Sequence, residues 1–259
     1  MIPALETQNL SLIVREKCLL DQVNLTFPKG EISLILGPNG SGKTLLLRCL
    51  AGVLSPHLGQ VLIGTEPMHK KSREETAKIL NWMPLSTNLP FAFSVFELLI
   101  MGRYPHHQGF PGKKDRQAAE KAMERLDLHS FAKRSYNSLS RGEQTRVDIA
   151  RALAADTSVL LFDEPFANLD IDASLQIIQL FHELKEQGKT LILSHHDLYS
   201  ARDLATYMMF LKKGRLVASG PSPNIFTPDI IRQTYDVQAK VHEDHHSGDW
   251  FVRFKNLPH

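Results

Sequence analysis

Three short stretches carry residue types and spacings suited to phosphate chemistry. Residues 37–44 read GPNGSGKT, which satisfies G-x-x-x-x-G-K-[ST]. Glycines let such a loop curl until successive N–H groups, and the helix start behind them, face an anion. Along Gly37, Pro38, Asn39, Gly40, Ser41, Gly42, Lys43, Thr44 and Leu45, Lys43 is expected to reach the β- and γ-phosphates of a nucleotide. The Thr44 hydroxyl is expected to ligate Mg²⁺. In LLFDEP, apolar residues lead to Asp163 and Glu164. A buried strand ending there sets Asp163 beside the phosphates, where it can hold the magnesium shell. It also aims Glu164 at a water in line with the γ-phosphate, as a general base. The third stretch, LSRGEQ (residues 139–144), is a Ser-x-Gly turn opening the helical pattern GEQTRVDIARALAAD. Read locally, Ser140 is that helix's N-cap.

These groups need elements to hold them. EISLILG reads as a strand running into the glycine loop, and KTLLLRCLAGVL as a helix ended by Ser55-Pro56. SVLLFDEP and KTLILSHH read as strands with the helix ASLQIIQLFHELKEQG between them. That alternation implies a parallel sheet buried on both faces. Residues 1–30 alternate apolar and polar up to PKG, predicting antiparallel strands, and YMMFLKKGRLVASG predicts a hairpin. From about residue 94 to 155 the pattern is helical.

A chain of 259 residues with 22% charged residues and a formal net charge of +2 is ordinary for a globular protein. It lacks the strongly basic footprint of a nucleic-acid binder. Cys18 and Cys49 form no CxxC and are expected to be small buried hydrophobes in a reducing compartment. MIPALETQNL has no basic region before an apolar core, so no secretory signal is expected, and no apolar run approaches a membrane span.

GPNGSGKT, LSRGEQ, LLFDEP, NLD (residues 168–170) and SHHD (residues 194–197) occur in an order and approximate spacing that resemble an ABC-type ATPase domain, over roughly residues 4–225. The resemblance implies an α/β P-loop core of RecA type, with an N-terminal antiparallel β-subdomain and an inserted helical subdomain. One division follows: 1–90 and 156–225 for the core with its β-subdomain, 91–155 for the helical signature subdomain, and 226–259 for a C-terminal extension. It implies ATP and Mg²⁺ as ligands, and a second copy of the chain packed head to tail. In that arrangement the Ser140 hydroxyl and Gly142 N–H close over the γ-phosphate of the other copy's ATP. Asp170 then matches the residue that touches the opposing subunit, although locally it is also a helix N-cap. His196, directly before an aspartate, matches the switch histidine, with His195 a packing neighbour. Arg141 replaces the glycine of the usual LSGGE; its side chain is expected to point away from phosphate.

Two positions depart from the family pattern. No aromatic falls near Val14, where the family stacks adenine, and Leu85 in WMPLSTN stands where the family has a glutamine. An isobutyl group neither donates nor accepts, so slower hydrolysis or looser coupling is expected, and Ser86 is a candidate holder of a bridging water. NLPFAFSVFELLIMGRYPHH resembles importers of iron-siderophore complexes, haem and cobalamin, with zinc and manganese importers next. That implies integral membrane permease subunits, an external substrate-binding protein acting through them, and a peripheral place on the cytoplasmic face of the membrane. Two other readings stay open, a weakly hydrolytic regulatory ATP-binding module and a nucleic-acid ATPase. Phe91, Phe93 and Tyr104 are either permease anchors or subdomain core. The tail VHEDHHSGDWFVRF, with His242, His245 and His246, reads as a solvated hairpin or as a metal site.

Overall fold

A computed structural model describes residues 2–256 apart from 88, 108, 199, 200, 202, 203 and 244–249. Its centre is a six-stranded sheet in the order β10-β9-β3-β8-β7-β6. These strands are β3 (Ile32–Leu36), β6 (Leu80–Met83), β7 (Val159–Asp163), β8 (Thr190–His195), β9 (Tyr207–Lys212) and β10 (Arg215–Pro221). All neighbours pair in parallel except β9 with β10, the predicted hairpin. Alternation along the strands divides their side chains between two cores. Leu34, Phe162 and Leu193 face one; Ile35, Leu161 and Ile192 face the other. A sheet buried on both faces in this way is what the continuous apolar runs imply.

The second face is covered by α1 (Lys43–Leu50) and by the antiparallel sheet β2-β1-β4-β5. That sheet comprises β1 (Leu5–Val14), β2 (Lys17–Phe27), β4 (Leu58–Ile63) and the short β5 (Glu66–Pro67). Fully buried Leu46, Leu47 and Leu50 anchor α1 there, each contributing about 1.5–3 kcal/mol by leaving water. The helix stops at Leu50, short of the expected Ser55-Pro56, because Val53 and Leu54 turn back to donate to the Arg48 carbonyl. Cys49 is buried, which pushes its thiol up to about 11, whereas Cys18 is exposed and corrects the expectation that both are core residues. The short helix α2 (Arg73–Ile79) precedes β6.

The first face is covered by α6 (Ile171–Glu186) and by residues 95–154, which hold α3 (Val95–Met101), α4 (Lys113–Glu124) and α5 (Arg141–Ala154). Ser94 and Ser140 start α3 and α5 with capping boxes closed by Glu97 and Glu143. Beyond β10 come α7 (Ser222–Ile225), α8 (Pro228–Tyr235) and the antiparallel pair β11 (Val237–Glu243) and β12 (Trp250–Asn256). Val252 is buried against the first core, so this hairpin is docked as well as solvated. The metal reading of the tail rests mainly on residues 244–249, outside the described residues.

The segment Gly102–His107 clamps the helical block. Arg103 is largely buried and donates from Nε to Asp115 Oδ1 at 3.2 Å and from Nη1 to the Ala154 carbonyl at 2.9 Å. His106 Nε2 reaches the Ala155 carbonyl at 2.6 Å. These bonds join the start of α4 to the end of α5. Arg103→Ala removes a charge-assisted pair and leaves the Asp115 carboxylate poorly solvated, a cost of about 2–3 kcal/mol. Thermal unfolding should then shift down by about 2–4 °C per kcal/mol; an unchanged melting temperature would show that the clamp is not structural.

Candidate active site

Parallel pairing brings the ends of three strands to one sheet edge. Leu36, the last residue of β3, pairs with His195 of β8, and Asp163, the last of β7, pairs with Ser194. The loop 37–42, the Asp163-Glu164 pair and the end of β8 with His196 therefore share one site, the usual place for ligands in an open α/β sheet.

The loop's shape depends on Gly37. At φ +155°, a Cβ there would sit 2.2 Å from the Leu211 carbonyl oxygen and 2.7 Å from Ser41 Oγ, so no side chain fits. Asn39 and Gly40 are exposed at the tip, Ser41 is buried, and Gly42 precedes α1. Leu45 packs against the second core. Lys43 Nζ lies inside the loop, donating to the Gly37 carbonyl at 2.8 Å and to the Pro38 carbonyl at 3.4 Å. Burial pulls the Lys43 pKa below its ordinary value, against the opposing charges of Glu164 and Asp163.

Asp163 is 1% exposed. Its Oδ1 accepts from Ser194 Oγ at 2.6 Å and from Thr44 Oγ1 at 3.1 Å. Its Oδ2 is buried with no hydrogen-bond partner among the described residues. An unsatisfied carboxylate oxygen next to a hydroxyl is a donor pair suited to a hard, oxygen-seeking cation.

Glu164 follows in the left-handed region, at φ +50°, with its N–H donating to Ser194 Oγ at 2.9 Å. One carboxylate oxygen, Oε2, accepts from His196 Nδ1 at 2.7 Å, and His195 Nδ1 stands 3.7 Å from the same atom. The other, Oε1, lies 3.8 Å from Lys43 Nζ. Burial alone would raise the Glu164 pKa. The neighbouring His195 imidazole, the His196 hydrogen bond and the charges of His196 and Lys43 outweigh it and hold the value below that of an ordinary glutamate. His195 is also packed edge-on against Phe166, with ring centroids 5.4 Å apart, as a packing neighbour should be. His196 is exposed.

Ser140, Gly142 and Asp170 lie apart from this cluster, and no hydrogen bond or ion pair among the described residues joins them to the loop. Ser140 Oγ accepts from the Glu143 N–H at 3.3 Å, and Asp170 Oδ1 from the Ala173 N–H at 2.8 Å, so both are the N-caps of their helices. A Cβ on Gly142 would come 3.0 Å from the Asn168 carbonyl oxygen, which sets the two helix starts side by side. Arg141 turns along its own helix to Gln144, 3.3 Å away. Leu85, half-exposed, lines a cleft of about 270 Å³ with Arg141 and Asn168. Two residues on, Thr87 donates to the buried Asp148 of α5 at 3.1 Å, and Tyr136 donates to the same carboxylate at 2.8 Å. Val14 is 45% exposed at the end of β1. Of the three aromatics, Phe93 packs against the core, whereas Phe91 and Tyr104 are 69% and 76% exposed.

Sequence reasoning missed Ser194. Its hydroxyl receives the Glu164 N–H and donates to Asp163, fixing both acids at once. The signal was present, since Ser194 opens SHHD, but only strand register reveals which residue it faces.

Residues 20–167 match the ABC transporter family. The iron(3+)-hydroxamate import ATP-binding protein FhuC of Bacillus subtilis is 35% identical over 244 residues, 93% of this chain and 91% of that protein. Import ATP-binding proteins for hemin and cobalamin and a manganese transport ATP-binding protein match at 32–34% identity. An inward-facing metal-chelate-type ABC transporter superposes with a TM-score of 0.83 at 28% identity, covering 98% of each chain. A dimeric ATP-binding cassette in a post-hydrolysis state, bound to ADP and phosphate, superposes with a TM-score of 0.77 at 27% identity, covering 84% of this chain and 98% of the other. The chain belongs to the ABC transporter family. It has the ABC ATPase fold and is an ATP-binding, ATP-hydrolysing transport subunit.

Ser194→Ala leaves the Glu164 N–H without its acceptor and Asp163 Oδ1 with Thr44 alone. We expect a loss of about 1–3 kcal/mol in urea unfolding, together with a fall in hydrolysis rate. Wild-type values of both would remove Ser194 from the site.

Proposed function

We propose that this chain is the ATPase of a membrane importer for an iron-siderophore complex, haem or cobalamin, and that it works as a head-to-tail dimer on integral membrane permease subunits. The carrying observation is the meeting of Lys43, Thr44, Asp163, Glu164 and His196 at one sheet edge. The N–H groups of residues 39–45 and the Lys43 ammonium hold the β- and γ-phosphates. Thr44 and the unpartnered Asp163 oxygen hold Mg²⁺, which neutralises phosphate charge when bound. Glu164, ionised and hydrogen-bonded to His196, positions the attacking water, and His196 braces the γ-phosphate. Positioning and charge stabilisation supply most of the rate.

The second copy contributes Ser140 and Gly142, with Asp170 at the contact. Support comes from the exposed apolar pair Ile171 (82%) and Leu175 (59%), which follow Asp170 on one helix face. The permease face is proposed on the helical block of residues 91–155, where Phe91, Tyr104 and Phe110 are exposed. No helix among the described residues is long and apolar enough to cross a membrane, in keeping with a peripheral subunit on the cytoplasmic face. An external substrate-binding protein would act through the permease, and the near-neutral charge argues against nucleic acid. The names of the relatives support an iron-chelate, haem or cobalamin cargo; a manganese or zinc importer is the alternative. The division into 1–90 with 156–225, 91–155 and 226–259 is part of this reading. Leu85 favours a second reading, a slow regulatory ATPase, because its isobutyl group neither donates nor accepts a hydrogen bond in the cleft that it lines.

Glu164→Gln should cut permease-stimulated ATP hydrolysis by about 10²-fold or more while retaining ATP and trapping a dimer on size exclusion. Hydrolysis by this variant at the parental rate would remove Glu164 as the base.

A further inference from the structure

Glu164, His195 and His196 do more than orient one water. Their ligand atoms lie within 4.8 Å of one another, and both imidazoles turn Nδ1 toward the same carboxylate oxygen, at 3.7 and 2.7 Å. In a tetrahedral zinc site, bonds of about 2.0–2.2 Å separate neighbouring donors by about 3.3 Å, a spacing between the two observed. Lys43 faces the other oxygen, Oε1, and so leaves Oε2 to the histidines. His196 opens the group to solvent, with 57% of its side chain exposed, while His195 and Glu164 are 5% and 13% exposed. Two imidazoles and one carboxylate with an open fourth position suit a borderline metal such as Zn²⁺. The neighbouring Asp163–Thr44 pair offers oxygen alone and suits a hard cation. The two donor sets therefore suit different classes of metal although they share one sheet edge.

We propose that Glu164, His195 and His196 form an inhibitory site for a borderline divalent transition metal, Zn²⁺ being the best fit. The ion takes Glu164 Oε2 and the Nδ1 atoms of both histidines; each imidazole then binds as its Nε2–H form, any Nδ1 proton leaving to solvent as the metal arrives and Nε2 taking one up from solvent where it was bare. A bound metal thereby removes the groups that position water and brace the γ-phosphate, so hydrolysis stops while the metal is held. The inhibition rests on the proposed hydrolytic roles of Glu164 and His196; the binding does not. In an importer, such a site would throttle ATP use as free metal rises.

The test titrates Zn²⁺ into the full-length chain in excess Mg²⁺, by competition with a chromophoric chelator. It uses the wild type, His195→Phe (which keeps ring packing against Phe166), His195→Asn, and a tail variant with His242, His245 and His246 changed to Asn. ATPase activity is then measured against Zn²⁺, each variant normalised to its own metal-free rate. The expected result is one equivalent bound by the wild type and by the tail variant, and binding weakened about tenfold or more in both His195 variants. Inhibition should shift by the same factor and be reversed by a zinc-selective chelator. Absence of binding, its loss in the tail variant alone, equal binding by the His195 variants, or stimulation by Zn²⁺ each overturns the proposal. A metal-free wild type unable to hydrolyse ATP would instead overturn the hydrolytic reading and leave the zinc titration standing.

Discussion

A buried carboxylate at the end of a strand is the constraint around which this molecule is arranged. Asp163 is removed from water by the sheet that carries it, yet only one of its oxygens is satisfied, by Ser194 and Thr44. Leaving a buried charge half-solvated is costly, and the nearby Lys43 ammonium offsets part of that cost. The three residues come from the ends of β7 and β8 and the start of α1, so Asp163 also ties the glycine loop to the sheet. Glu164 inherits its position from the same Ser194, through its own N–H.

That arrangement separates rigid parts from parts left to a partner. The loop, the acids and the histidines are fixed by strand register and by two cores. The starts of α5 and α6 are set side by side by the approach of Gly142 to Asn168, and neither is bonded to the loop. Each is capped within its own helix, so these turns are formed before any partner arrives and bind without an ordering cost. The two-copy site proposed above needs this kind of preorganisation. The Thr87–Asp148–Tyr136 bonds tie the segment carrying Leu85 to α5.

Much of this was legible in the chain itself. The glycine loop could be read because its requirement is backbone shape, which residue type exposes directly. The parallel sheet could be read because burial on two faces demands unbroken apolar runs. Ser194 was not legible, since its partners lie 30 and 31 residues away and are set by register between β7 and β8. His195 was read as packing, which its contact with Phe166 supports, but its nearness to Glu164 depends on the register of β8 against β7. Cys18 and Phe93 show the same limit: an apolar side chain's periodicity says that it can be buried, and the neighbours decide whether it is. The short α1 reflects turn bonds to Arg48 that propensity does not encode.

The central claim, that each hydrolytic site is shared between two copies, is tested most directly by mixing two dead chains. Lys43→Ala should inactivate the phosphate loop, and Gly142→Asp the signature turn, so neither homodimer hydrolyses ATP. Co-refolded or exchanged in equal amounts, they form mixed dimers with one doubly defective site and one intact site. In a symmetric dimer with random pairing this restores about a quarter of the wild-type rate. Activity that stays at the level of the separate variants, with mixed dimers confirmed by mass, would contradict a shared site.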